Sequence, residues 1–247
     1  MASPQNDEPK GHEMTNVQAP AKAVEAVTFS LYRDVHKGIR RDLFELTQRA
    51  GNVDPSVRTG RVDLASHLDR TVDLLVMHAH HEDASVQPAI EQSFPDLAAE
   101  IEHDHEKLEA RLVDLQEMAA EAVDAGPSAQ RDSMYRVYLE VASFTSAYLA
   151  HQDLEERVVM PALENAIGVE AVIGIHMDIL DHIPPDAMAS SLALMFPAMN
   201  IDDRAELLGG MRAGAPAEVF EGVWGLTGSV LAPRDYTDLG SRLGIAA

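Results

Sequence analysis

The chain is 247 residues long, 46% hydrophobic, and carries 41 acidic against 19 basic residues for a formal charge of −22. That length and apolar content suffice for a sizeable buried core. The negative balance excludes nucleic acid and anionic membranes as main partners, because both are bound through cations that face phosphates. With no cysteine there is no disulfide, thiolate metal site or thiol nucleophile, so any metal must be held by His, Asp and Glu. No apolar run approaches the roughly 18 to 20 residues of a membrane span, and the polar opening MASPQNDEPKGHEM lacks the layout of a secretion signal. A cytoplasmic protein is expected.

Residues 1–21 are poor in apolar residues and lack periodicity, and they read as a disordered tail. A first helix is predicted from Ala21 to Ala50, stopped by Gly51, with NVDPSVRT as a loop. A second runs from Val57 to Gln92 and closes at Ser93-Phe94-Pro95. A third spans Asp96 to Asp124 before Gly126-Pro127, and a fourth spans Ser128 to Asn165, ending near Gly168. Four long helices on short loops make antiparallel neighbours, so the fold class is all-α, an up-down-up-down four-helix bundle over residues 22–167. Residues 168–247 are punctuated by Pro and Gly and read as a C-terminal extension of short helices, in which Asn200 is placed to cap the helix IDDRAELL. The sequence carries no chemistry in this extension.

One motif is written twice, seventy-three residues apart. His78, Glu82, Asp83, Val86, Pro88 and Glu91 align with His151, Glu155, Glu156, Val159, Pro161 and Glu164. A His and a Glu four apart stand one turn apart on one helix face, so each stretch offers an imidazole and a carboxylate to a common neighbour. Pro88 and Pro161 fall ten residues beyond their histidines, inside the second and fourth helices, which predicts a matched kink.

Counting 100° per residue tests whether these groups point inward. Leu64, Thr71, Leu75, Ser85 and Ala89 share the His78/Glu82 face, and Val137, Phe144, Tyr148, Val158 and Ala162 share the His151/Glu155 face. On the first helix Phe29, Tyr32, Leu43 and Thr47 accompany His36. On the third, Ala98, Ile101, Leu112, Gln116 and Ala119 mark a face holding His105, with Glu109 one turn beyond it, while His80 and His103 point to solvent. At about 1.5 Å per residue, the helices can bring these groups to one level of the bundle. His67, in phase with His78 but roughly 16 Å away, cannot share a site with it.

Carboxylates buried side by side need neutralising, and Arg40, the single inward-leaning cation, cannot balance the set. Two divalent or trivalent ions can. Nitrogen and oxygen donors without sulfur suit iron or manganese, with zinc as a further candidate.

On His36, His78-x-x-x-Glu82 with Pro88, Asp104-His105, and His151-x-x-x-Glu155-Glu156 with Pro161, the chain resembles the hemerythrin-like, HHE cation-binding family of non-haem di-iron proteins over about residues 23 to 166. The resemblance implies two iron ions joined by an oxo or hydroxo bridge, His36 and His78 capping one, His105 and His151 the other, and Glu82 and Glu155 bridging. Oxygen-carrying members place a second histidine one turn away on the third helix, where this chain has Ile101 and Glu109. Either Glu109 is a seventh ligand or that iron has an additional open position, and both favour redox turnover over reversible oxygen carriage.

The expected function is therefore binding and reduction or activation of dioxygen or a related small oxidant, peroxide or nitric oxide. Two alternatives stand beside it. One is a di-iron oxygenase or oxidase for a small organic substrate, with the extension forming or covering a pocket. The other is a sensor of iron, oxygen or nitric oxide without turnover. The extension could equally serve as a homodimer interface.

Overall fold

Apolar stripes at helical spacing require partners, and here they find them in one another. A computed structural model describes residues 25–245, which contain helices and no strand among the described residues. The expected tail over residues 1–21 lies outside them. The bundle consists of α1 (Arg33–Asn52), α2 (Arg58–His81) continued by α3 (Gln87–Ser93), α4 (Pro95–Asp124), and α5 (Gln130–Leu154) continued by α6 (Met160–Ile167). α1 packs on α2 and α5, and α4 packs on α2 and α5. The four columns thus close a ring in chain order, the neighbour pattern of an up-down-up-down bundle.

The first helix starts twelve residues later than its periodicity predicts. Residues 25–32 are irregular, and the N–H groups of Thr28 and Phe29 donate to the Glu164 carboxylate at 2.9 and 3.1 Å. Ser30 Oγ accepts from Tyr32 and Arg33, satisfying donors that a helix start leaves free. Apolar residues in this stretch mimic a helix because they face the bundle end.

The matched irregularity expected at Pro88 and Pro161 takes the form of a π turn before each proline. α2 and α3 are joined by a π-helical turn, Glu82–Val86, and α5 and α6 by another, Glu155–Val159. A proline cannot donate to the carbonyl four residues back and its ring collides with it, and a wider turn with i→i+5 bonds relieves both problems. Each turn inserts one residue into the count, so the buried stripe advances by one. Val86, Ile90, Val159 and Leu163 are buried where the 3.6-residue period points to Ser85, Ala89, Val158 and Ala162, and Val158 is turned out to water.

Three apolar clusters result. One, built on Ile39, Leu43, Leu68, Leu75, Leu112 and Phe144, fills the half of the bundle that ends in the α1–α2 and α4–α5 loops. A second, built on Tyr32, Val86, Ile90, Ile101, Val159 and Leu163, fills the other end. His36, His78, Glu82, His105, His151 and Glu155 fall between them on every column, forming a polar layer with apolar packing above and below.

The remaining chain forms α7 (Val169–His182), α8 (Pro185–Met195), a short 3-10 turn, α9 (Ile201–Gly214), α10 (Ala217–Val230) and α11 (Pro233–Leu243). Gly168, at φ 80°, turns the chain by 114° into α7. α7 seats Val172 and Ile179 against the second cluster, while Leu192, Phe196, Leu208 and Leu239 form a third core within the extension. α8 lies against α1, where a Cβ on Gly38 would meet Leu194 at 3.2 Å. Asn200 caps α9 as expected, accepting from the N–H groups of Asp202 and Asp203. No single helix among the described residues is long and apolar enough to cross a membrane.

Candidate metal centre

The side chains of the polar layer are almost fully buried, with exposures from 0% for His36 to 9% for His78. Glu82, His105, His151 and Glu155 each bring one ligand atom within 4.8 Å of the others, and His36, His78 and Glu82 do the same. The imidazoles fall into two pairs. His36 Nε2 lies 3.2 Å from His78 Nε2, and His105 Nε2 lies 3.1 Å from His151 Nε2. Two nitrogens at about 2.1 Å from one ion and at right angles would stand about 3.0 Å apart, close to both values.

The carboxylates span the two pairs. Glu82 Oε1 is 3.1 Å from His78 and its Oε2 is 3.5 Å from His105. Glu155 Oε1 is 3.3 Å from His151 and its Oε2 is 3.5 Å from His36. Near as they are, both Glu82 oxygens and Glu155 Oε2 are buried without a hydrogen-bond partner. Orphaned buried carboxylate oxygens cost several kcal/mol. Imidazole nitrogens and carboxylate oxygens crowd together here without bonding one another, an arrangement that a shared cation resolves. The donor set fits two such ions.

The outward ring nitrogens are held as well. His36 Nδ1 donates to Glu156 Oε1 at 3.0 Å, and Glu156 receives both guanidinium arms of Arg40 at 2.7 and 2.9 Å. His105 Nδ1 donates to Asp83 Oδ1 at 2.8 Å. These bonds fix the tautomer that turns Nε2 and its lone pair toward the centre. Tyr32 stacks on His36 at 4.9 Å between ring centroids, and Tyr148 meets the edge of His151 at 5.9 Å.

Charge states without metal record the strain of this layer. Burial pushes His78 down to about 4 and Glu155 up to about 8, lowers His36 and His151, and raises Glu82 with help from the Glu155 charge. Burial also opposes the His105 imidazolium, yet the Glu82 and Asp83 carboxylates outweigh it and hold that ring up at about 9. For Glu156, burial is outweighed by the bonds from His36 and Arg40, which bring it down to about 2. Two carboxylates and four imidazoles in one dry layer thus share protons that cations would displace.

Six of the seven sequence-predicted site residues meet in this layer. Glu109 does not: its side chain is exposed and it belongs to neither group of ligand atoms. The inner stripe of α4 steps from His105 to Leu108 and Leu112, three and then four residues, which leaves position 109 facing water. Ile101, one turn before His105, is 3% exposed and offers no donor. His80 and His103 face solvent, and His67 is buried elsewhere, bonded to Asp42 and Arg49. What the sequence reading missed is the bracing by Asp83 and Glu156. Its signal lay in the doubled motif, where an acidic residue follows each inward Glu.

A family model described as the hemerythrin HHE cation binding domain matches residues 27–163. Comparison with curated proteins and with solved structures gives no match.

Proposed function

The chain belongs to the hemerythrin HHE cation-binding family, and from that premise we propose that His36, His78, Glu82, His105, His151 and Glu155 hold two iron ions that bind and reduce or activate dioxygen, peroxide or nitric oxide. The observation that carries this reading is the placing of Glu82 and Glu155, each with one oxygen toward one imidazole pair and one toward the other. Carboxylates so placed would serve both ions. Iron is favoured over zinc because a bridged pair of nitrogen- and oxygen-bound ions suits electron transfer, and zinc has none to offer.

A pair of redox-active ions supplies the electrons that a small oxidant takes up. The protein's own contribution is positional. Glu156 and Asp83 accept from Nδ1 of His36 and His105 and so turn Nε2 toward the centre, and apolar clusters on both sides exclude bulk water. Ile101, in place of a donor, leaves the His105/His151 position with fewer protein ligands than an oxygen carrier supplies, which favours turnover over release. Ligands exposed by 9% or less suit a diatomic or peroxide better than a bulky organic substrate, so the oxygenase reading stands second.

Iron analysis and the absorption spectrum of aerobically purified, iron-supplemented protein test the reading, together with consumption of hydrogen peroxide and nitric oxide. Close to two irons per chain and a charge-transfer spectrum are expected. Fewer than two irons per chain would overturn it.

A further inference from the structure

The two ends of the polar layer meet solvent differently, one through a closed ion pair and the other through carboxylates. Beside His36 stands Arg40, its guanidinium 27% exposed and clamped on Glu156, with the Tyr32 ring laid over the imidazole. A cation approaching there meets a neutralised ion pair, with no free carboxylate oxygen, and an aromatic cover. Beside His105 and His151 stand two carboxylates instead. Asp83, 47% exposed, accepts from His105 Nδ1. Asp104, 34% exposed, places Oδ2 4.0 Å from His151 Nδ1, a nitrogen that is buried and has no hydrogen-bond partner. The one cation against this pair is Lys107, 57% exposed and 3.7 Å from Asp104, long enough to swing aside.

We propose that metal enters and leaves the centre through the Asp83/Asp104 face, so that the ion held by His105 and His151 is the exchangeable member of the pair and the ion held by His36 and His78 is the retained one. The inference rests on the two-metal reading above and adds a direction to it. A hydrated cation must trade water for protein oxygens stepwise, and part-exposed carboxylates, one bonded to His105 and one 4.0 Å from His151, provide that intermediate station. The opposite approach meets the Arg40–Glu156 pair, whose charges cancel and whose carboxylate oxygens are already taken by the guanidinium, so it offers neither attraction nor a free oxygen for stepwise exchange. Asp83 adjoins Glu82 in the chain and Asp104 adjoins His105, so the surface station and the buried ligands move as one.

The experiment mixes metal-free full-length protein with ferrous ion under anaerobic conditions, follows loading by rapid mixing, and then challenges the loaded protein with a chelator. Release in two phases is expected, one iron per chain leaving first. Crystals of the half-stripped protein should then show anomalous scattering between His36 and His78 and none between His105 and His151. Asp83→Asn combined with Asp104→Asn should slow loading by about tenfold, the lower end of what electrostatic focusing gives, and Asp83→Glu should load as the parent does. Asp104→Asn alone removes no hydrogen bond from the fold, so unchanged helix content with slowed loading keeps the test independent of folding. Iron retained between His105 and His151, or parental loading rates in the double variant, would overturn the inference while leaving the two-iron centre intact. Fewer than two irons bound would overturn both.

Discussion

Glu155 and Glu156, neighbours in the chain, face the two nitrogens of a single imidazole on another helix: Glu155 Oε2 lies 3.5 Å from His36 Nε2 and Glu156 Oε1 lies 3.0 Å from His36 Nδ1. Glu82 and Asp83 do the same to His105, at 3.5 and 2.8 Å. On a regular helix, consecutive side chains diverge by about 100° and cannot both reach one ring. Each pair opens a π turn, which holds more residues per turn and brings neighbours closer in angle. The π turns are thus part of the site, consistent with their frequent appearance where helices carry function.

The brace should matter to metal more than to the fold. Glu156→Gln removes the charge that holds His36 and leaves Arg40 without its ion pair, and affinity for ferrous or cobaltous ion should fall about 10- to 100-fold. Stability should fall by about 1–3 kcal/mol, the cost of a charged hydrogen bond lost in a half-buried setting. Asp83→Asn should show the smaller stability loss of the two, because its own side chain is 47% exposed and no guanidinium depends on it. Metal titration and urea unfolding of both variants provide the comparison, and equal losses in stability would contradict it.

The two π turns also explain where the sequence misleads. Up to Glu82 and Glu155 the 3.6-residue period correctly places Leu64, Thr71, Leu75, Val137, Phe144 and Tyr148 inside, together with all four inward histidines. Past those residues it is wrong by one position, because nothing in the local pattern of Val158 and Val159 tells which is inward until the turn is widened. Residues 25–32 mislead for another reason: what holds Thr28 and Phe29 out of the helix is the carboxylate of Glu164, about 136 residues away. Glu109 copied the spacing of His78 and Glu82, yet a spacing of four names a face only when the rest of the stripe agrees, and Leu108 shows that on α4 it does not.

Core packing, more than proline, should keep the turns wide. Restoring a regular helix after Pro161→Ala gains at most about one hydrogen bond, worth about 1 kcal/mol, while rotating α6 by one residue would expose Val159, Met160 and Leu163, all 0% exposed, at about 1.5–3 kcal/mol each. Burial wins. Pro161→Ala should therefore keep its metal content and change stability by about 1 kcal/mol or less, whereas Leu163→Ala should lose about 2–5 kcal/mol. Loss of metal in Pro161→Ala would show that the ring itself sets the turn.

Glu109→Ala should bind metal as the parent does, since the side chain is exposed and apart from the ligand atoms. Glu155→Ala should lose both ions, because one residue serves both imidazole pairs. Metal stoichiometry by elemental analysis distinguishes them. A drop in Glu109→Ala would restore it as a ligand.

Chelation should destabilise the whole bundle, because the ligands come from all four columns of the ring. Each ion at a hundredfold excess over its dissociation constant adds about 2.7 kcal/mol, and at about 2–4 °C per kcal/mol for a chain of this size the pair should raise the melting temperature by roughly 10–20 °C. Melting scans with metal and with EDTA read this directly. Coincident curves would mean that the layer tolerates its own charges.

Without metal, stability should fall toward alkaline pH. Glu155 stands at about 8 in the folded protein against an ordinary 4.5, and His105 at about 9 against 6.5. Both folded-state values are raised, so both groups stabilise fully below their ordinary values and lose that contribution as pH rises through 8 and 9. His78, lowered to about 4, has the opposite sign and weakens the fold as pH falls from 6.5 through 4, and Glu156, at about 2, does so below 4.5. The metal-free protein should therefore be most stable between these limbs, near pH 5–6.5, and measurably weaker at pH 9. Loaded protein should show a flatter alkaline limb, because cations take the place of the protons on Glu155 and His105 and hold the same groups together without them. Urea unfolding across this range with and without iron separates the two curves, and parallel alkaline limbs would show that the ions do not displace those protons.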